Sequence, residues 1–215
     1  VVDAKKHTIT VPFERFGYYV VGKLSSSYTD IIDHPYGRDY IETIYAKGVM
    51  NPVDPANEFG VYRKITRAEF TVMAASALQL TGDSEPLRFT DQDDIGDWAR
   101  QAVALSAQHG IVHGYPDGTF RPNANIIRAE MALIIARALG LLSLGPTQTG
   151  FDDDEDIPDW ASGAIEALRS AGVVEGRGGN RFAPDAPVTR AEAAVLLLRM
   201  TDWFSTDLLH LFDKT

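Results

Sequence analysis

Apolar residues recur at i, i+3, i+4, i+7 and i+8 in Phe70, Met73, Ala74, Ala77 and Leu78, and again in Met131, Ile134, Ile135, Ala138 and Leu139. Ala193, Leu196, Leu197 and Met200 continue the same stripe in a third stretch. That spacing predicts three amphipathic helices of one design. Each follows a near-copy of one short segment: Ile65-Thr66-Arg67-Ala68-Glu69-Phe70, Ile127-Arg128-Ala129-Glu130-Met131 and Val188-Thr189-Arg190-Ala191-Glu192-Ala193. In two copies the Thr is followed three residues later by Glu, the capping-box pattern of a helix start. The Arg therefore stands at the first helical position, beside unpaired amides and the positive end of the helix dipole. A cation there is unfavourable for the helix, but the place suits an anion. A functional cation and a solvated surface Arg both fit it.

The segments return with a period of 61 to 62 residues, and other elements return with them. Tyr28 and Asp30, Phe89 and Asp91, and Phe151 and Asp153 open the copies. The Asp reads as a helix or turn cap. Tyr36, Trp98 and Trp160 stand twelve residues before Gly48, Gly110 and Gly172, each of which is followed by Val or Ile. A Gly with a trailing apolar residue is the signature of a left-handed helix C-cap, so each copy gains a first helix ending there. A turn-rich loop follows: Gly114-Tyr115-Pro116-Asp117-Gly118-Thr119-Phe120-Arg121-Pro122 in copy two, with Gly176, Gly178, Gly179, Phe182 and Pro184 at related places in copy three. Copy one departs most, with Asn51-Pro52-Val53-Asp54-Pro55. No such helix buries its stripe alone, so the three copies are expected to pack into one pseudo-symmetric, mainly α bundle of helix-loop-helix repeats.

The ends extend that plan. Phe13, Phe16, Val20 and Leu24 at helical spacing after Pro12 predict a helix over about 12–24, a degenerate half-repeat covering the open face of the first copy, although Thr8 to Val11 also suits a short strand. Trp203, Phe204, Leu208, Leu209, Leu211 and Phe212 predict a closing helix. The expected layout is one folded unit with a capping segment 1–27, repeats at 28–88, 89–150 and 151–203, and a closing segment 204–215.

Composition narrows the chemistry. The charge of −10 argues against nucleic acid, which needs a basic surface, but leaves room for an anion held by local Arg. The absence of Cys excludes disulfides and thiolate metal sites. No apolar run reaches the ~20 residues of a bilayer span, and Val1 to Lys6 do not read as a signal peptide, so a mature or excised segment is expected.

The recurrence of Phe-x-Asp, Trp-Ala, Gly-Ile/Val, Phe-x-Pro and Thr-Arg-Ala-Glu over about residues 28–203 resembles the S-layer homology domain in its arrangement of three copies. The resemblance implies a three-lobed, pseudo-threefold helical fold. It also implies attachment of a bacterial surface protein to a secondary cell-wall polysaccharide, commonly pyruvylated, without catalysis or cofactor. On that likeness Arg67, Arg128 and Arg190 line grooves between repeats where the acidic sugar sits. The residues agree: a carboxylate needs a fork-shaped cation, which Arg supplies through charge-assisted and often bidentate bonds. On this view the arginines bind ligand and do not hold the fold. Trp98, Trp160 and, in place of Trp, Tyr36 either stack on a sugar face or pack into the core. Gly114 and Gly176 either admit close ligand approach or serve turn geometry.

Rival readings are weaker. Asp152, Asp153, Asp154, Glu155 and Asp156 are too bunched for glycosidase chemistry, which sets two carboxyls across a bond. Taken as an EF-hand loop from Asp152, the run has Ile157 where Gly belongs and Gly163 where Glu belongs. His109 and His113 have Gly110 between them and no third ligand for zinc. A structural lattice module that binds other protein copies instead of glycan is the alternative that remains.

Overall fold

The stripes form the helices they predict, and what they pair with sets the architecture. The computed structural model of the chain describes residues 2–3, 8–9, 28–31, 37–53, 58–142 and 145–212. Its helices are α1 (Gly37–Ala46), α2 (Arg67–Ala77), α3 (Asp97–Gln108), α4 (Arg128–Leu139), α5 (Asp159–Ser170) and α6 (Arg190–Phe212). Strands β1 (Val2–Asp3) and β2 (Thr8–Ile9) pair antiparallel, with Val2 opposite Ile9. β2 falls where Thr8 to Val11 suited a strand. The helix expected over 12–24, with its apolar cap of Phe13, Phe16 and Val20, lies outside the described residues.

Phe70, Met73 and Ala74 of α2, Met131, Ile134, Ile135 and Leu139 of α4, and Ala193, Leu196, Leu197 and Met200 of α6 are all buried. Each second helix lays its stripe against the first helix of the next repeat: α2 on α3, α4 on α5, and α6 back on α1. Each lobe is therefore built from two repeats, and the last pairing closes a ring. α6 also packs against α2 and α4. It runs 23 residues without a break, so the tail expected as a closing helix is an extension of the third repeat's own helix.

The ring is fixed at its centre by three fully buried β-branched residues, Ile65, Ile126 and Val188. Ile65 N–H donates to the Val188 carbonyl (3.1 Å), Val188 N–H to that of Ile126 (3.0 Å), and Ile126 N–H to that of Ile65 (3.1 Å). This cycle gives each extended segment a backbone partner in another repeat, as a buried main chain requires.

Each repeat also closes on itself. The opening aromatic meets the loop Phe, with ring centroids 5.9 Å apart for Tyr28 and Phe59, 5.2 Å for Phe89 and Phe120, and 5.5 Å for Phe151 and Phe182. The opening Asp accepts successive backbone N–H groups: Asp30 from Phe59, Gly60 and Val61, Asp91 from Phe120 and Arg121, and Asp153 from Phe182 and Ala183. Asp91 and Asp153 stand at the starts of short 3-10 turns but make no cap hydrogen bond there, so in place of the local cap expected they tie the opening of the repeat to its loop. Burial pushes the Asp30 and Asp153 carboxyls up, but the amide donors outweigh it and hold both below the usual carboxylate range.

Gly48, Gly110 and Gly172 have φ of 69°, 69° and 70°. In each case the Gly N–H bonds three residues back and the next N–H bonds five back, as in Ile111 to the Ser106 carbonyl at 2.8 Å. These are Schellman caps, and the positive φ is what calls for glycine.

Candidate functional site

The helix starts that carry the three arginines are held by the neighbouring repeat. The first amides of α2 donate to the carbonyls of Ala124 and Pro122, those of α4 to Ala186 and Pro184, and those of α6 to Arg63 and Val61. The first two N-terminal amides of each helix, expected to attract an anion, are thus satisfied by protein. The helix-dipole part of the expectation fails for that reason.

The side chains are buried as well, with Arg67 6% exposed and Arg128 and Arg190 4% each. Every one reaches into the loop of the following repeat. Arg128 Nε donates to the Phe182 carbonyl at 2.7 Å and Nη2 to that of Glu175 at 3.4 Å. Arg190 Nε donates to the Phe59 carbonyl at 3.1 Å and Nη2 to that of Asn51. Each guanidinium lies over the loop Phe, 4.8 Å from the Phe182 centroid for Arg128 and 5.1 Å from that of Phe59 for Arg190. These contacts correct the expectation that the arginines do not hold the fold: they clamp one repeat's loop to another's helix. Burial and then the Arg63 charge lower Arg190 to about 10, against Glu69 and Asp30, so it remains a cation at neutral pH.

Arg67 differs from its two counterparts. Its Nη2 donates to the His113 carbonyl at 2.8 Å, yet its buried Nε has no partner among the described residues. It faces a cleft of about 390 Å³ bounded by His113, Gly114, Tyr115 and Pro116 of the loop, by Glu130, Leu133, Ile134 and Arg137 of α4, and by Trp160 of α5. Three repeats therefore contribute to one site. The pseudo-symmetric cleft over α6, bounded by Arg128, Glu175, Gly176, Arg177, Glu192 and Arg199 among others, is about 50 Å³.

Charge pairing accounts for the difference. In the α6 cleft Arg177 Nε bonds Glu192 at 2.8 Å, Arg128 lies 3.6 Å from the same carboxylate, and Arg199 bonds Glu175 at 3.1 Å. In the α4 cleft Tyr115 stands where Arg177 does and donates its hydroxyl to Glu130. Burial and that bond raise the phenol to about 12.

The aromatic candidates separate from the core. Trp98 is 61% exposed and Trp160 52%, so the packing reading fails for both rings. Each sits one position before the buried Ala99 or Ala161, about 100° round the helix from the stripe. Tyr36 lies outside the described residues. Gly114 and Gly176 border the two clefts, and close packing leaves little room for a side chain at either: a Cβ on Gly114 would lie 2.9 Å from the Thr119 carbonyl oxygen, closer than real contacts allow, and one on Gly176 a tight 3.1 Å from that of Arg181. The acidic run is engaged in structure, Asp153 on the loop amides, Asp154 on Thr149, and Asp152 on Asn180. His109 caps α3, while His113 lies at the edge of the α4 cleft.

Sequence reasoning missed Arg137, Glu130 and Tyr115 as cleft residues. The signal was present, since Glu130, Ile134 and Arg137 fall at i, i+4 and i+7 on one helix face.

Ile127 starts α4 without the side-chain cap that Thr66 gives α2. Its backbone (φ −92°, ψ 162°) matches that of Thr66 (φ −82°, ψ 163°), whose hydroxyl accepts the Glu69 N–H at 3.2 Å, but Ile offers no acceptor to Glu130 N–H. Ile127→Thr is expected to exceed Ile127→Ala in stability by about 1 kcal/mol in denaturant unfolding. Equal stabilities would mean that another group caps that amide.

The S-layer homology domain profile matches residues 27–71, 88–132 and 150–194. The chain is 32% identical over 201 residues to an amylopullulanase of Thermoanaerobacterium thermosulfurigenes, covering 91% of this chain and 10% of that protein. It is 33% identical over 153 residues to a cellulosome-anchoring protein of Acetivibrio thermocellus, covering 67% of this chain and 34% of that protein. It is 36% identical over 137 residues to the S-layer protein EA1 of Bacillus anthracis, covering 64% and 16%. The chain thus spans between a tenth and about a third of the length of these relatives.

Proposed function

Because the chain belongs to the S-layer homology domain family, we propose that it is a non-catalytic anchoring module at the bacterial cell wall or S-layer. It binds an acidic, pyruvate-bearing secondary wall polysaccharide in the clefts between repeats, without covalent attachment. The observation that carries this reading is the cleft over α4, where the buried Arg67 keeps an unpartnered Nε and the exposed Trp160 forms one wall. A carboxylate satisfies such a guanidinium, and an exposed indole suits the apolar face of a sugar ring. The relatives' names are compatible with this role, since one is a cellulosome-anchoring protein and another an S-layer protein. The amylopullulanase match covers only 10% of that enzyme, so its activity does not carry over to this chain.

Recognition then depends on the acidic substituent. Equilibrium binding to purified wall polysaccharide is expected to weaken more than about tenfold when the pyruvyl group is removed, because a hydrogen bond to a charged group contributes roughly 1.5–3 kcal/mol. Equal affinity for the stripped polymer would contradict the reading.

A further inference from the structure

We infer that Arg137 is the specificity-determining cation of this chain, and that the cleft over α4, where it joins Arg67, carries most of the affinity for acidic glycan. The inference rests on the proposed function and goes beyond it, since three pseudo-symmetric clefts need not share the work.

The counterparts of Arg137 show why. In the α6 cleft the position is Arg199, which is bonded to Glu175. In α2 it is Ser76, which brings no charge. Arg137 is half-buried, and its guanidinium forms no ion pair or hydrogen bond among the described residues. The other cation of its cleft, Arg67, keeps a buried Nε unsatisfied and lies 3.9 Å from Glu130, a longer separation than a strong pair has. The cleft therefore holds two guanidiniums to one carboxylate, and that carboxylate already accepts from the Tyr115 hydroxyl and the Ile127 amide. The α6 cleft has the opposite balance, with its cations bound to the chain's own Glu175 and Glu192.

The positive potential in the α4 cleft is felt by its neighbours. Burial and then the Arg67 charge push Arg137 down from the ordinary guanidinium value, and burial and then the Arg137 charge push His113 down from that of imidazole. An anionic ligand relieves this repulsion. It also enters about 390 Å³ of existing space, whereas a ligand over α6 must first displace ion pairs from about 50 Å³.

Two tryptophans distinguish clefts by position, because Trp160 borders the α4 cleft and Trp98 stands on α3, away from it. The test uses the full chain and soluble pyruvylated wall polysaccharide, following the indole NMR signals of Trp98 and Trp160 and measuring affinity for Arg137→Gln, Arg137→Lys and Arg199→Gln. The expected result is that the Trp160 signal moves at the lowest concentrations, Arg137→Gln weakens binding about tenfold or more, Arg137→Lys regains part of it, and Arg199→Gln weakens binding clearly less than Arg137→Gln does. Unchanged melting temperatures of the half-exposed variants separate lost binding from lost folding. If Arg137→Gln and Arg199→Gln weaken binding equally, or Trp98 responds as early as Trp160, the inference is wrong while the anchoring function stands. No binding of the unaltered chain would overturn both.

Discussion

Arg128→Ala is expected to destabilise the chain by about 3 kcal/mol or more, the scale of breaking a buried charged interaction. The side chain is 4% exposed, donates to the carbonyls of Phe182 and Glu175, and stacks on the Phe182 ring. Alanine leaves those carbonyls without their donor, brings Glu192 one cation fewer, and opens a void between two repeats. Arg128→Lys keeps the charge but not the fork, so it should recover only part of the loss. Denaturant unfolding of the three proteins measures this. An Arg128→Ala chain as stable as the original would show that the clamp is idle, and would restore the simpler view of an arginine kept for ligand alone. Wall binding by such variants has meaning only after their stability is known, since the same guanidiniums border the clefts and lock the loops.

A larger effect is expected from ending the chain at Pro187. The cut removes Val188, one corner of the hydrogen-bond cycle with Ile65 and Ile126. It also removes α6, which packs against α1, α2 and α4. α1, whose Ile41 and Ile44 are fully buried, then loses the α-helix it packs against and keeps the short turn at Thr29–Ile31. Burying one such side chain contributes roughly 1.5–3 kcal/mol, so loss of a whole helix on this scale exceeds the 5–15 kcal/mol that holds a typical domain. The truncated chain should show no cooperative thermal transition in circular dichroism. A sharp transition with helix content reduced only in proportion would mean that the lobes fold independently and that the ring is incidental.

The helix starts were legible because the capping box is a local device: Thr66 and Glu69, or Thr189 and Glu192, need only each other. The stripes and the cap glycines were legible for the same reason, being set by helix period and by backbone angle. Pairing across repeats was not, because a stripe defines a face and leaves its partner open. Nor was the burial of the arginines: the carbonyls they hold are 46 to 139 residues away, and Arg alone in a sequence reads as exposed. The inequality of the clefts occupied an intermediate place. Tyr115 against Arg177, and Arg137 against Arg199 and Ser76, are visible once the repeats are aligned. Their meaning appears only when the fold turns those positions toward a common space.

Co-sedimentation with cell walls decides whether this chain anchors a protein through a wall polymer. Purified cell walls would be mixed with the isolated chain before and after removal of their non-peptidoglycan polysaccharide, with the pelleted fraction measured in each case. The chain is expected to pellet with intact walls and to stay in the supernatant with stripped ones. Equal pelleting with both would contradict the claim and place the binding on peptidoglycan or on no specific component of the wall.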